Sequence, residues 1–246
     1  MAGCIPYSFR GANFRIRSSH AGAVKREIRF QRRMLTEYIG RHREFMEALQ
    51  PVALRSDPPE IVRRMDFASY QAGVGPMACV AGATAQLAAE AAVRQGAQEA
   101  IVENGGDIYL VSETDIAVGL YIQGSPLSGR VAFRLAPSRL PVAVCSSSGR
   151  MGRSRSFGDC DLAAVLAEDA ALADGAATRA CNWVKGEEDI RSVAERIAEI
   201  VGVQGIMVVR NDRVALAGDL PELVKSSDDN FSRKITIHPS IGRALN

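Results

Sequence analysis

Between residues 28 and 49 the apolar positions Leu35, Tyr38, Ile39, Phe45, Met46 and Leu49 recur in steps of three and four. That spacing lines one side of a helix, which Pro51 ends. A second helix is expected after Asp57, with Asp57 as its cap, Pro58 and Pro59 in its first turn, and Ile61, Val62, Met65 and Tyr70 on its buried side. The turn Gly73-Val74-Gly75-Pro76-Met77 then feeds an alanine-rich helix over residues 76–95. Its small residues, Ala81, Gly82, Ala85, Ala88 and Ala89, permit close packing.

From Gln98 onward the apolar period drops to two. Residues 100–103, 108–111 and 116–122 read as strands of a meander around the turn Asn104-Gly105-Gly106-Asp107. Residues 131–135, 142–145 and 162–166 read as further strands, the last two divided by a Gly/Ser/Arg-rich stretch over 146–158. A second alanine-rich helix is expected over 168–183 and a third helix over 188–201, carrying Ile190, Val193, Ile197 and Ile200. A hairpin of residues 206–209 and 214–217 follows, and a polar tail from Val224 is expected to drape over the surface. Because helices and strands come in blocks, the fold class is α+β rather than a doubly wound parallel sheet. The two alanine-rich helices stand in similar settings, as a distant internal duplication would produce.

Composition narrows the class further. In 246 residues, 47% apolar and 24% charged describe a compact globular chain. No apolar run is long enough to span a bilayer and the N-terminus lacks a signal peptide's apolar stretch, so the expected location is the cytoplasm. Net charge is only +2, with 30 basic and 28 acidic residues, which argues against a nucleic-acid partner. Residues 1–50, a basic helical part, hold ten Lys/Arg against four Glu. That face suits a solvated helix, a phosphate or a docking partner. Five widely spaced cysteines without a CxxC pair exclude a disulfide framework and a structural zinc site.

The familiar hydrolase and NTPase signatures are absent, and the three histidines share no motif. Four segments can carry chemistry. Gly73 to Ala78 meets a loose G-x-G-x-x-A pattern ahead of a helix, where N–H groups favour a diphosphate, although no strand precedes it as a dinucleotide fold requires. Gly105-Gly106-Asp107 sets a carboxylate beside flexible backbone, suited to a nucleotide or simply to a tight turn. Ser147, Ser148 and Arg150, with Arg153 and Arg155, can contact an anion or form a solvent loop. Asp174 and Thr178 lie four positions apart on one helix face. They are hard oxygen ligands suited to Mg²⁺, or else a helix cap and a hydroxyl bonded back to a carbonyl.

Taken in order, GPMA at residues 75–78, GGD at 105–107 and ADGAAT at 173–178 resemble the motifs of the ApbE-like superfamily, first labelled thiamine-biosynthesis lipoproteins. The strings GVGPMACVAGA, VENGGDIYL, CSSSGRMGRSRSFGDCD and ALADGAATRACN resemble a shorter branch more closely, and the likeness runs from about Arg43 to Trp183. The resemblance implies a single α+β domain related to the tunnelling fold, with antiparallel sheets and paired β-β-α units. It implies Mg²⁺ held by Asp174, Thr178 and the backbone oxygen of Ala78. It implies FAD or a related nucleotide diphosphate as ligand or substrate, cradled by Gly75, Ala78, Gly105, Gly106, Ser147, Ser148 and Arg150. Asp107 becomes the catalytic candidate that orients or deprotonates an incoming hydroxyl.

FMN transfer to an acceptor protein or diphosphate cleavage is then the expected reaction, and a non-catalytic flavin- or nucleotide-binding module the alternative. A homo-oligomer is compatible with either. The departures are specific. Cys79 stands where transferases place a lysine, and residues 153–157 replace a His-Ile-x-Asp-Pro segment. A lipid-anchor cysteine after an apolar leader is also missing, since Cys4 lies too close to Met1.

Overall fold

A computed structural model describes residues 3–122, 125, 127–149 and 158–226. The chain starts with a hairpin, β1 (Ile5–Phe9) and β2 (Ala12–Ser18), turned by Arg10 and Gly11 at positive φ. Helices α1 (Ala21–Arg41), α2 (Arg43–Glu47), α3 (Glu60–Ala72) and α4 (Val80–Val93) follow. A second hairpin, β3 (Ala100–Asn104) and β4 (Asp107–Val111), closes the first half. After an excursion through β5 (Ile116–Gly119) and β6 (Val131–Leu135), the scheme repeats. Strands β7 (Val142–Ser147) and β8 (Leu162–Ala167) lead to α5 (Ala170–Trp183) and α6 (Asp189–Ala198), then to β9 (Val203–Arg210) and β10 (Arg213–Gly218).

Eight strands form one antiparallel sheet in the order β1-β2-β3-β4-β7-β8-β9-β10, and β11 (Glu222–Lys225), β6 and β5 form a second. The fold is therefore α+β with antiparallel sheets. Each half is a hairpin, a helical segment and a hairpin, which is compatible with the paired units that the family resemblance implies.

Several elements differ from expectation. Residues 5–18 hold a hairpin rather than helix, because Phe14 and Ile16 alternate with polar neighbours and pair against β3. Asp57 sits at positive φ and does not cap α3, whose N-cap position is Pro59. The meander ends at β4: its next neighbour is β7, while β5 and β6 pair in the smaller sheet. Val224 belongs to β11, paired with Ala132 of β6, and residues 227–246 lie outside the described residues.

Alternation along the strands divides the interior. Val102, Tyr109, Ala143, Cys145, Ala163 and Val165 face α4, α5 and α6, whereas Leu110, Val142, Val144 and Leu166 face the smaller sheet. A third cluster under α3 joins Leu35, Tyr38, Phe45, Ile61, Met65 and Cys79. The alanine-rich helices gain cohesion by approach rather than bulk. A Cβ on Gly82 would stand 1.9 Å from the Ala170 carbonyl oxygen, so α4 and α5 touch backbone to backbone there. No single helix among the described residues is long and apolar enough to cross a membrane.

Candidate functional site

The two-residue turn between β3 and β4 places Asp107. Gly105 and Gly106 have φ of +68° and +109°, the left-handed backbone that a tight hairpin needs at both central positions. Asn104 and Asp107 are thereby paired, and Asp107 lies two positions before Tyr109, on the helix-facing side of β4. Its carboxyl is buried, and Oδ1 accepts the Ser146 N–H at 3.3 Å. The Ser146 hydroxyl donates to the Gly106 carbonyl at 3.1 Å, tying the turn to β7.

Asp174 comes from the middle of α5. Its Oδ2 accepts two backbone N–H groups of α4, from Ala81 and Gly82, each at 3.0 Å. Asp174 therefore caps a neighbouring helix, while Asp169 caps α5 itself through Leu172 N at 2.9 Å. One turn later Thr178 is also buried, and its hydroxyl has no hydrogen-bond partner among the described residues. The alternative in which Thr178 bonds back to a carbonyl is not what forms. Ser147, the last residue of β7, is buried with an unpartnered Oγ.

The remaining candidates surround these groups unevenly. Ala78 lies in a 3₁₀ turn, Pro76–Cys79, directly before α4, and is partly exposed. Gly75 has φ of −67°, and its smallness answers a contact within the protein: a Cβ there would stand 1.9 Å from the Ala48 carbonyl oxygen. Ser148 follows β7, and Gly149 donates to the Cys160 carbonyl at 2.8 Å. Arg150, Arg153 and Arg155 lie outside the described residues. Asn104 was not singled out from sequence. It is buried, and its Nδ2 donates to the Ala81 carbonyl at 3.3 Å, steadying the same turn of α4 that Asp174 caps. Its position beside the glycine turn was the available signal.

Electrostatics marks both carboxyls as groups that resist ionisation. Burial, then the charge of Asp174, pushes the Asp107 carboxyl well above the usual carboxylate range. Burial also pushes Asp174 up to about 7 against the two N–H groups that favour its charge. The thiols of Cys79 and Cys145 are raised as well, first by burial and then by Asp174 and Asp107 respectively, so both stay protonated.

Two buried acids that each resist ionisation, beside two unpartnered hydroxyls, form an all-oxygen set that a hard cation suits. No cluster of three or more His, Cys, Asp or Glu side chains surrounds a point among the described residues. Any cation would therefore complete its shell with hydroxyl, carbonyl, water or ligand oxygens.

Comparison with known proteins gives a consistent result. A family model described as AbpE bacteria matches residues 12–227. The UPF0280 protein MJ1526 of Methanocaldococcus jannaschii is 42% identical over 197 residues, covering 78% of this chain and 80% of its own. A UPF0280 protein of Methanothermobacter thermautotrophicus is 41% identical over 198 residues, covering 79% and 77%. Among solved structures, the apo flavinyl transferase ApbE of Pseudomonas stutzeri superposes with a TM-score of 0.55 at 12% identity, over 89% of this chain and 94% of that one. The flavin transferase ApbE of Vibrio cholerae gives 0.54 at 15% identity, over 92% and 97%. Those structures share the fold, and the sequence matches carry the kinship: the chain belongs to the ApbE-like family that includes the UPF0280 proteins.

Proposed function

We propose that this chain binds FAD or a related nucleotide diphosphate together with Mg²⁺, and acts on the diphosphate in the cytoplasm. The observation that carries the reading is the buried pair Asp107 and Asp174, with Thr178 one turn after Asp174 on α5 and the unpartnered, buried Ser147 hydroxyl at the end of β7. Likeness of fold to the solved flavin transferases supports the flavin part of the reading.

In this proposal Asp174, Thr178 and the Ala78 carbonyl hold the ion. Bound Mg²⁺ would neutralise diphosphate oxygens and the charge that develops on the leaving group. The chain's own groups do the rest. Asp174 is fixed by two N–H donors and keeps its orientation without ligand. Ser147 offers its hydroxyl to a phosphate oxygen, with Ser148 and Arg150 assigned beside it. Asp107, anchored by Ser146 N, holds or accepts the proton of an incoming hydroxyl, a task favoured by a carboxyl whose proton affinity burial raises well above the ordinary carboxylate range.

The acceptor is water or a protein hydroxyl. Cys79 is fully buried and bears no charge, so the cation that a lysine would contribute at this position is missing and transfer to a protein is the slower branch. Incubating the protein with FAD and Mg²⁺ and measuring AMP release tests the reading. Release that disappears in Asp174→Asn supports it. FAD binding without AMP release would leave a flavin-binding module, and equal binding by wild type and Asp174→Asn would remove the metal assignment.

A further inference from the structure

A row of cations follows one flank of α1 with no carboxylate to answer it. Lys25, Arg29 and Arg32 stand at steps of four and three, so they line one stripe of the helix, rising by about 6 and then about 4.5 Å. The stripe meets β1, the edge strand of the larger sheet. Lys25 Nζ lies 5.5 Å from the centre of the Tyr7 ring, and Arg29 Nη1 donates to the Tyr7 hydroxyl at 3.4 Å. The hairpin turn, with Arg10 and Gly11 at positive φ, brings a fourth cation back to the helix. Arg10 Nη1 donates to the Thr36 hydroxyl at 3.3 Å, and the Arg10 carbonyl accepts from Arg32 Nη2 at 3.3 Å. The row shares no residue with the candidate metal and nucleotide site.

These groups have donors to spare. A guanidinium carries five N–H groups. Arg10 and Arg29 direct one each to a neutral hydroxyl, while Arg32 directs one to a carbonyl and keeps a buried Nε without a partner. Burial, then the Arg10 charge, opposes the Arg32 charge, and no carboxylate supports it. None of the four cations forms an ion pair among the described residues, whereas Arg15 meets Glu103, Arg17 meets Glu99 and Arg64 meets Glu90. A solvated helix face is instead laced by pairs four positions apart, and the one such pair of α1 among the described residues, Arg33 with Glu37, lies off the row. Like charges held together, one of them half-buried, cost free energy that a bound anion recovers.

We propose that this row is a docking surface for a nucleic-acid strand, held by its phosphates. The net charge of +2 conceals it, because residues 1–50 hold ten Lys/Arg against four Glu and the balancing acids lie further along the chain. The guanidinium fork matches two phosphate oxygens at once. Cations spaced by about 4.5 to 6 Å need anions as closely set on a flexible chain, and a phosphodiester backbone supplies one at every residue. An extended acidic peptide presents side chains to one side only at every second residue, about 7 Å apart. Lys25 and Arg32 are half-buried between helix and strand, recessed from any flat lipid surface. Tyr7 and Phe9 line the same flank, with the Arg10 guanidinium 5.6 Å from the centre of the Phe9 ring, the combination of rings and cations that single strands favour. Phosphate contacts carry no sequence preference, so none is expected.

Fluorescence anisotropy of labelled 20-residue oligouridylate and oligothymidylate, titrated with the full chain at several salt concentrations, tests the row. Saturable binding is expected with Kd of about 1–100 μM at low salt, and log K should fall against log salt with a slope of about −3, as four phosphate contacts on a single strand give. The triple variant Arg10→Gln, Arg29→Gln, Arg32→Gln should bind at least about tenfold more weakly, with a slope near about −1. Arg29→Gln alone, at an exposed position, should weaken binding about threefold and keep wild-type melting, which separates the contact from folding. A control with the same loss of charge, Arg63→Gln, Arg134→Gln, Arg213→Gln, removes arginines already paired with carboxylates and should stay within about threefold of wild type. The inference is overturned if neither oligonucleotide binds, if the row variants bind as wild type does, or if the control triple weakens binding as much as the row triple. It is also overturned if polyglutamate or phosphatidylserine vesicles compete as well as unlabelled oligonucleotide at equal charge.

Discussion

Replacing Gly82 by alanine adds one methyl group where α4 crosses α5, and the structure sets its effect. The added Cβ would lie 1.9 Å from the Ala170 carbonyl oxygen, 2.6 Å from its carbonyl carbon and 3.0 Å from Asp174 Cβ. Ordinary van der Waals contact begins near 3.4 Å, so the two backbones must part by more than 1 Å. Overpacking of this kind costs about 1–3 kcal/mol, after alanine's helix-propensity advantage of about 1 kcal/mol has offset part of a larger gross strain. For a chain of this length that lowers Tm by roughly 3–10 °C.

Gly40→Ala is the matched control. Gly40 lies exposed near the end of α1, and a Cβ there meets nothing within 4 Å. The same chemical change should therefore stabilise by about 0.5–1 kcal/mol. Thermal melts followed by circular dichroism read both signs at once. Because Gly82 N is one of the two donors to Asp174, the parted helices should also weaken Mg²⁺ binding in calorimetry. A Gly82→Ala protein that melts at or above the wild type would refute the backbone contact and the account of why these helices are built from small residues.

The metal-free protein should lose stability as pH rises. The folded state keeps a proton on Asp174 up to about 7 while the unfolded chain releases it near the ordinary value of 3.8, so Tm should be higher at about pH 5 than at about pH 8. Mg²⁺ should raise Tm more at the higher pH, and a flat profile in both conditions would contradict the burial of this carboxyl. Gly106→Val, at φ of +109° with a Cβ 3.1 Å from Ser146 Oγ, should cost about 1–3 kcal/mol, whereas Ile101→Val costs about 1 kcal/mol; wild-type melting of the Gly106 variant would show that the turn does not need glycine. Asp169→Ala should lower stability by about 1 kcal/mol through loss of the α5 cap in urea unfolding, and Asp169→Asn should recover most of it.

Much of the fold was legible because its signals are local. The period-two runs gave β3, β4, β7 and β8 within a few residues, and both alanine-rich helices were visible as small-residue stretches. Strand order was not legible. Residues 116–119 look like the next strand of a meander, but β4 gives Ile108, Tyr109 and Leu110 to β7, and the choice of neighbour depends on contacts more than thirty residues apart. The first hairpin was missed for a related reason: in β2 the arginines Arg15 and Arg17 alternate with Phe14 and Ile16, and the ion pairs with Glu103 and Glu99 that explain them lie across the sheet.

The placement of the candidate residues was legible where one element carries them and hidden where two meet. The four-residue spacing of Asp174 and Thr178 placed both on one face of α5, and the glycines before Asp107 marked its turn. That Asp174 caps α4 was not readable, since its donors are 92 and 93 residues away and reach it only because Gly82 lets the helices touch. The same dependence explains Cys79. A Cβ on Gly175 would stand 2.8 Å from Cys79 Sγ, so the thiol occupies the space that the missing side chain of α5 leaves. Its burial and the raised thiol both follow from that fit. A lysine could not simply replace it, because the longer chain would have to pass Gly175 and carry an ammonium into an apolar cluster beside Ala72 and Val74. The exchange of lysine for cysteine is therefore coupled to the packing of α5 on the 3₁₀ turn, and Cys79→Lys alone should unsettle that packing before it supplies a charge to any diphosphate.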